Sequence, residues 1–351
     1  MDKYNHNPEK LHKELYAKTT RRLAYSPDRD FEAWRAELRL KLAELLGMHK
    51  MPDVTATPEI IVTAREEHSD FTEIVFTFES EPGYFAPCHF LIPKRGKAPF
   101  PTVVCLQGHN SGMHNSLGRA EYDSDDPVNE TFRAYGIQAV AHGYAALVME
   151  QRGFGVSKNA AGPYPDCHGP AMQALMLGRT LYAERVFDII RAINALSHFP
   201  EADMDKIGCM GNSGGGTATY YAACLDERIK IAMPSCSICT LYGSFFSLPF
   251  VGTYEGAASS HSCVCCYIPG ISEWVENQDL SALIAPRKLL LVNGRGDPYF
   301  PIKESIECFE DIKEIYKKAG AEGNCRMVIG EEGHRFYPDE AWPVFKEMAG
   351  F

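Results

Sequence analysis

The chain has 351 residues, of which 45% are hydrophobic, and this is enough for one large α/β domain with appendages or for two domains. Its formal net charge of −11 at pH 7 repels phosphate backbones and anionic membrane surfaces, so we expect neither nucleic acid nor a membrane as a partner. The N-terminus is polar and carries no apolar leader, and we therefore interpret the twelve cysteines as free thiols of a cytoplasmic protein.

The N-terminal part of the chain is predicted to add helices to a larger domain. Apolar residues recur at helical spacing between residues 31 and 45, and Ser26-Pro27-Asp28 is a helix start signal just before them. We therefore interpret residues 1–55 as a helical extension that docks on the main domain, residues 56–351.

From residue 56 the pattern changes to that of a β-sheet. Three strand-like runs predict an antiparallel start to this sheet, at residues 60–63, 72–78 and 88–93. The continuous apolar run 102–106 is typical of a central strand that is covered on both faces. The loop after it has the position expected for oxyanion donors, namely the backbone N–H of His109 or Asn110. The alternative is a plain loop with a surface histidine.

Strands and helices then alternate, which predicts a mainly parallel, doubly wound sheet. Helical patterns cover residues 136–144, 178–199, 303–319 and 343–348. Strand-like runs cover residues 145–149, 207–210, 229–233, 286–294 and 325–329. A polar turn is expected at 201–206, just before the strand that carries the central motif.

That motif is Gly211-Asn212-Ser213-Gly214-Gly215, a G-x-S-x-G pattern between an apolar strand and a helix. Strand, sharp turn and helix together predict a nucleophile elbow, in which Ser213 is strained and glycines leave room beside it. The helix that follows, predicted from Thr217 to about Leu225, points its N-terminus at the same place, and the backbone N–H of Gly214 is expected to donate to a developing oxyanion. The alternatives are a glycine-rich phosphate loop, whose motif is absent, and an ordinary strand–helix turn.

A serine hydroxyl needs a base near neutral pKa, and the imidazolium that forms needs an anionic partner. Ser213, Asp297 and His334 supply these groups in the chain order Ser, Asp, His, and each follows a predicted parallel strand. We therefore expect all three at one edge of the sheet. The fallback acids and bases are Asp166, Glu150, His168 and His261. Both fallback histidines fall in segments that are predicted to be irregular.

Residues 234–285 form an irregular segment that we predict to be a lid over the serine, because a stretch of this length inside a compact domain is usually functional. The aromatic residues expected to shape the substrate pocket are Tyr242, Phe245, Phe246, Phe250 and Tyr254. The same segment holds His261, Cys263, Cys265 and Cys266. Their spacing is not a CxxC pair and lacks a second ligand pair, so packing thiols are favoured over a metal site. We expect no metal and no cofactor.

These motifs resemble those of the α/β-hydrolase superfamily and, within it, of the acetyl xylan esterase-like and dienelactone hydrolase-like branch. The matching segments are Gln107-Gly108-His109, Glu150–Gly155, Gly211–Gly216, Tyr267–Gly270, Ala285–Leu290, Gly296-Asp297 and Gly333-His334. The resemblance covers roughly residues 70–350. It implies an α/β-hydrolase fold, with a mainly parallel central sheet flanked by helices, in which Ser213 is the nucleophile, His334 the base and Asp297 the acid.

We predict a cofactor-free serine hydrolase of small acyl esters, and the expected substrate is a carbohydrate O-acetyl ester. A peptidase or an amide- or lactone-cleaving enzyme of the same fold is the alternative. A non-catalytic binding relative is disfavoured, because no triad member is missing. The expected partner is therefore a small-molecule ester such as an acetylated sugar. The sequence leaves open whether the chain forms a homo-oligomer.

Overall fold

The computed structural model describes residues 6–53, 56–125, 132–246, 253–254, 257–258 and 263–351 of the chain. Two helices come first, α1 (Pro8–Lys18) and α2 (Phe31–Leu46). The side chains of Asn7 and Asp30 cap them, because each accepts a hydrogen bond from a backbone N–H in the first helical turn. Gly47 ends α2 in the left-handed region at φ 84°, a conformation that costs glycine little.

The strands that follow build one large sheet and one small pair. In chain order they are β1 (Ile60–Glu67), β2 (Phe71–Glu81), β3 (Tyr84–Pro93), β4 (Phe100–Leu106), β5 (Ala145–Met149), β6 (Ala202–Asn212), β7 (Ile229–Ser235), β8 (Thr253–Tyr254), β9 (Ala257–Ala258), β10 (Lys288–Gly294) and β11 (Cys325–Gly330). Strand β8 pairs with β9, and the others form a nine-stranded sheet in the order β1-β2-β3-β5-β4-β6-β7-β10-β11.

The direction of pairing changes once across this sheet. Strands β1, β2, β3 and β5 pair antiparallel with their neighbours in that order. From β5 through β4, β6, β7 and β10 to β11 every pairing is parallel. The carboxyl ends of the parallel strands therefore meet at one edge, where open α/β sheets bind their ligands.

Helices cover both faces of the sheet. The remaining ones are α3 (Tyr135–Ala141), α4 (His168–Met176), α5 (Leu181–Ala195), α6 (Gly214–Leu225), α7 (Leu241–Phe245), α8 (Ile302–Lys318) and α9 (Pro338–Ala349). Along β4, Val103 and Cys105 join the core cluster that contains α3 and α9, whereas Val104 and Leu106 join the cluster that contains α2, α5, α6 and α8. This alternation is that of a strand buried on both faces.

The N-terminal helices pack on the body of the protein. On α2 the side chains of Trp34, Leu38 and Leu42 are buried in the same core cluster as the sheet. The Leu23 N–H donates to the Trp274 carbonyl at 2.8 Å, and Arg21 pairs with Glu276 at 2.5 Å. The described residues 6–53 therefore share a core with the larger unit, and a boundary at residue 55 remains a prediction.

The structure confirms a mainly parallel sheet flanked by helices, and it corrects three local predictions. The expected turn at 201–206 is the first part of β6, because Ala202 and Asp203 pair with Phe100 and Pro101 of β4, so that sheet pairing outweighs the polar sequence. His168 is the first residue of α4 and is not in an irregular segment. The last helix begins at Pro338, five residues earlier than expected, with a proline in its first turn.

The predicted lid segment is partly regular in the structure. Strand β7 extends to Ser235, α7 follows at Leu241–Phe245, and short 3-10 turns occur at Val264–Cys266, Ile271–Glu273 and Asp279–Leu283. Phe250 and His261 lie outside the described residues, and of Tyr254 only the backbone is described. Within the described ranges, no helix has both the length and the apolar character needed to cross a membrane.

Candidate active site

Ser213 sits at the sharpest turn of the parallel half of the sheet, between the end of β6 and the start of α6. Its backbone adopts φ 56° and ψ −121°, a strained conformation for a residue with a side chain. The Ser213 N–H donates to the Ser235 carbonyl at the end of β7, at 2.8 Å, and this bond helps to hold the strained turn.

The glycines around Ser213 are required by close packing. A Cβ on Gly211 would lie 2.5 Å from the carbonyl of Gly215, and a Cβ on Gly215 would lie 2.3 Å from the Leu106 carbonyl oxygen of β4. A Cβ on Gly214 would lie 2.7 Å from the ring of His109. The G-x-S-x-G pattern therefore brings α6 against the end of β4, as a nucleophile elbow requires.

Asp297 and His334 form a hydrogen-bonded pair at the same edge of the sheet. Asp297 follows β10 and His334 follows β11, and Nδ1 of His334 lies 2.8 Å from Oδ2 of Asp297. The carboxylate is buried, and its Oδ1 accepts hydrogen bonds from the N–H groups of Tyr299 at 2.8 Å and Phe300 at 3.1 Å. These contacts fix the carboxylate, which in turn orients the imidazole with Nε2 free to face another group.

Ser213 and His334 line one cavity of about 80 Å³. The other residues on its walls are Gly108, His109, Asn110, Phe132, Arg133, Tyr135, Asn212, Arg335 and Phe336. The structure thus brings the three residues that the sequence singled out to one edge of the sheet, with Asp297 behind His334 and Ser213 across the same cavity.

The loop after β4 reaches this cavity as well. The Asn110 N–H donates to the Gly108 carbonyl at 2.9 Å, within the loop itself. By contrast, neither the His109 N–H nor the Gly214 N–H has an acceptor among the residues that the structure describes. Of the two candidates in this loop, His109 therefore has the N–H that is available to a ligand.

Glu150 braces the loop from beneath, a role that the sequence did not indicate. It follows β5 and is buried, its Oε1 accepts from the side-chain amide of Gln107, and the Met113 N–H donates to both of its carboxylate oxygens at 3.2 and 3.3 Å. Burial raises the pKa of Glu150 to about 8. The only signal in the sequence was a carboxylate directly after a buried strand, which had made Glu150 a fallback acid.

Cys236 supports the acid–base pair in a way that sequence reasoning missed. It directly follows β7, has a positive φ of 44°, and its Sγ lies within 4.8 Å of a carboxylate oxygen of Asp297 and of a ring nitrogen of His334. Burial, together with the negative charge of Asp297, raises the pKa of the Cys236 thiol. The thiol donates to the Arg335 carbonyl at 3.2 Å, so it packs beneath the pair as a neutral group.

The aromatic residues that were expected to contact substrate lie elsewhere among the described residues. Phe245 and Phe246 line a second cavity, of about 140 Å³, whose other walls include Tyr267, Ile268 and Gly270. Tyr242 is partly exposed and its ring lies 6.0 Å from that of Tyr16. The structure does not bring these three residues to the cavity of Ser213, and their role in substrate binding remains a prediction.

Two models of protein families match the sequence of this chain. The family model of acetyl xylan esterase (AXE1) matches residues 55–243, which is more than half of the chain. The chain belongs to the acetyl xylan esterase (AXE1) family. A second model, of the prolyl oligopeptidase family, matches residues 177–351, the part that carries Ser213, Asp297 and His334.

Individual proteins are similar to this chain over most of its length. YtaP of Bacillus subtilis (strain 168), which is named as a hydrolase, is 25% identical over 308 residues that cover 86% of this chain and 94% of YtaP. A Bacteroides fragilis NCTC 9343 structure described as an acetyl xylan esterase superposes with a TM-score of 0.78 at 17% identity, over 97% of this chain and 84% of that one.

A glucuronoyl esterase from Solibacter usitatus superposes with a TM-score of 0.68 at 15% identity, over 95% of this chain and 99% of that one. At these identities the superpositions show the fold alone. The AXE1 family member described here therefore has the α/β-hydrolase fold expected from its motifs, and its family match supports a hydrolase.

Proposed function

We propose that this AXE1 family member is a serine esterase that removes small acyl groups, above all O-acetyl groups, from carbohydrates. The observation that carries the proposal is the buried Asp297–His334 hydrogen bond at the cavity where the strained Ser213 is presented. The family match and the structural similarity to carbohydrate esterases support the substrate class.

The chemistry follows the roles of these groups. Oγ of Ser213 attacks the ester carbonyl carbon while Nε2 of His334 takes its proton, and Asp297 stabilises the imidazolium. The tetrahedral oxyanion accepts hydrogen bonds from the free N–H groups of His109 and Gly214. The bond between the acyl carbon and the sugar oxygen then breaks, and the His334 imidazolium gives its proton to that oxygen, so that the sugar leaves with a free hydroxyl. Water, deprotonated by His334, attacks the acyl-enzyme, and acetate leaves as Ser213 regains its proton.

The size of the cavity favours a short acyl group. Its described walls enclose about 80 Å³, against about 300–1,000 Å³ for pockets that bury a drug-sized ligand. Phe132, Tyr135 and Phe336 are the aromatic residues among those that line this cavity. We therefore expect acetate esters to be hydrolysed faster than longer ones.

The test is hydrolysis of p-nitrophenyl acetate, butyrate and octanoate, followed by acetylated xylo-oligosaccharides. The wild type is expected to prefer the acetate ester, and Ser213→Ala is expected to lower kcat by about 10⁶-fold. Ser197→Ala, an exposed serine outside the site, is the matched control and should retain activity. A wild type that cleaves no ester and whose Ser213 is not labelled by a fluorophosphonate would overturn the proposal.

A second candidate is peptide cleavage, which the match to the prolyl oligopeptidase family favours. The same three residues would act, with a peptide amine as the leaving group. Proline-containing p-nitroanilide peptides, assayed beside the esters, separate the two. Faster turnover of the anilides than of the acetate ester, lost in Ser213→Ala, would favour the peptidase.

A further inference from the structure

Four potential metal ligands from three distant segments converge beside the oxyanion loop. His109 follows β4, Cys167 precedes α4, and Cys263 and Cys265 flank the first residue of the 3-10 turn at Val264–Cys266. One ligand atom of each residue lies within 4.8 Å of those of the other three. Nε2 of His109 is 3.2 Å from Sγ of Cys265.

This arrangement suits a tetrahedral Zn²⁺ ion. Zinc–sulfur bonds of about 2.3 Å and a zinc–nitrogen bond of about 2.0 Å place the ligand atoms about 3.5–3.8 Å apart. The described separations, all within 4.8 Å, need to change by at most about 1.3 Å to reach that geometry. Three cysteines and one histidine are a common ligand set of structural zinc, and they leave no open position for a reacting water.

The charge around the cluster also favours a bound metal ion. Arg185 of α5 is fully buried, and none of the described Asp or Glu residues forms an ion pair with it. Its guanidinium donates to the Arg152 carbonyl at 2.7 and 3.1 Å, to Sγ of Cys167 at 3.3 Å and to Sγ of Cys265 at 3.5 Å. A buried cation needs a counter-charge, and Zn²⁺ with three thiolates supplies a net charge of −1.

Other buried cysteines behave differently, which separates the cluster from ordinary packing thiols. Cys105 donates to the Val103 carbonyl, Cys209 to the Thr219 hydroxyl and Cys224 to the Leu280 carbonyl. Each of these three thiols therefore acts as a neutral donor within the core. In the cluster, Cys167 and Cys265 instead accept hydrogen bonds from the buried guanidinium of Arg185.

We propose that His109, Cys167, Cys263 and Cys265 bind one structural Zn²⁺ ion. This departs from the packing thiols that the sequence favoured, and it does not depend on the proposed esterase function. The ion would tie the segment at Cys263 to the loop of His109, whose ring lies against Gly214 and makes an edge contact with Phe154 at 5.2 Å. The ion would therefore hold the His109 backbone in place at the cavity of Ser213.

The test is metal content of the full chain purified under reducing conditions without chelator. Inductively coupled plasma mass spectrometry of the purified protein is expected to find about one Zn²⁺ per chain, either on isolation or after addition of Zn²⁺ and desalting. Cys263→Ser is expected to lower this by at least about tenfold. Cys266→Ser changes the adjacent half-buried cysteine outside the ligand set, and it should keep the metal.

Replacement by Co²⁺ supplies a second readout that does not depend on folding yield. The wild type and Cys266→Ser should show thiolate charge-transfer bands together with the intense visible bands of tetrahedral Co²⁺. His109→Asn should keep the charge-transfer bands with weaker binding, because three thiolates remain. Three results would overturn the proposal: a wild type that takes up neither metal, equal metal in Cys263→Ser, or a disulfide within the cluster of the protein purified under reducing conditions.

Discussion

Two groups of residues reach the cavity of Ser213, one through His334 and the other through His109, and they differ in how the chain positions them. On one side, Asp297 and His334 each follow a neighbouring parallel strand, so the topology alone brings them to one edge. On the other side, the proposed zinc cluster joins a loop, a helix start and a 3-10 turn that lie up to 156 residues apart in sequence. The first group repeats a rule of the fold, whereas the second depends on how irregular segments pack.

The two groups also use charge in opposite ways. Asp297 is a buried carboxylate whose partners are two backbone N–H groups and the imidazole of His334. Arg185 is a buried guanidinium whose partners are sulfur atoms and a backbone carbonyl. The first arrangement is suited to stabilise an imidazolium as it forms, and the second to hold a static charge. We therefore expect reactivity from one side and rigidity from the other.

Among single changes in the Asp297–His334 pair, Asp297→Asn is expected to have the largest effect on kcat. The amide leaves the geometry nearly intact but favours the wrong imidazole tautomer, so kcat for p-nitrophenyl acetate should fall by about 10⁴-fold. The amount of bound zinc should be unchanged, because the substitution does not alter the proposed zinc ligands. Asp311→Asn, at an exposed position on α8, is the control. Loss of zinc together with activity would show that the two sides are not independent.

Gly214→Ala is expected to lower both catalysis and zinc binding through a single contact with His109. The new Cβ would lie 2.7 Å from two ring atoms of His109, a ring held between Cys265 and Phe154. Displacement of His109 removes one oxyanion donor, which should cost about 10²-fold in kcat. The same variant should bind zinc more weakly than the wild type.

Gly169→Ala is the matched control for this change. Gly169 also lies in the first turn of a helix, and a Cβ there would meet no atom within 4 Å. Its kinetics and metal content should equal those of the wild type. If Gly214→Ala behaves in the same way, His109 is free to move, and the proposed ion does not restrain it.

The sequence predicted the positions of Ser213, Asp297 and His334 in the fold for a physical reason. A strand buried on both faces is a continuous apolar run, and the residue just beyond it must reach the sheet edge, so Ser213, Asp297 and His334 could be placed without side-chain coordinates. The position of Cys167 next to Cys263 follows no periodicity. It depends on how the chain packs between β5 and α5, and Cys236 and Glu150 likewise became informative only through their neighbours.

Glu150→Gln tests whether Glu150, which accepts hydrogen bonds from Gln107 and Met113, is protonated in the folded protein. Burial raises the pKa of Glu150 from its ordinary value of 4.5 to about 8, with Glu121 adding to the shift and Lys158 opposing it. Between these values the folded protein keeps a proton that the unfolded chain releases. The free energy of unfolding should therefore fall as the pH rises from 5 to 8, by at most about 1.4 kcal/mol per pH unit.

In Glu150→Gln this part of the pH dependence should disappear, because the amide does not titrate. The measurement is the midpoint of urea unfolding at several pH values between 5 and 9. Glu340→Gln, an exposed change in the first turn of α9, is the control and should follow the wild type. A slope in Glu150→Gln that equals the wild-type slope would assign the pH dependence to other groups.

The smallest effect is expected from Phe245→Leu. This substitution tests whether the substrate site includes the second cavity as well as the cavity of Ser213. Phe245 lines the second cavity and its ring centre lies 4.9 Å from that of Tyr267, whereas Phe132 lines the cavity of Ser213. Because the described residues keep these cavities apart, Phe245→Leu should change kcat/KM for p-nitrophenyl acetate by less than about threefold. Phe132→Leu, the same change in the other cavity, should cost more. The reverse order would mean that the aromatic residues of the predicted lid, as the sequence indicated, shape the substrate site.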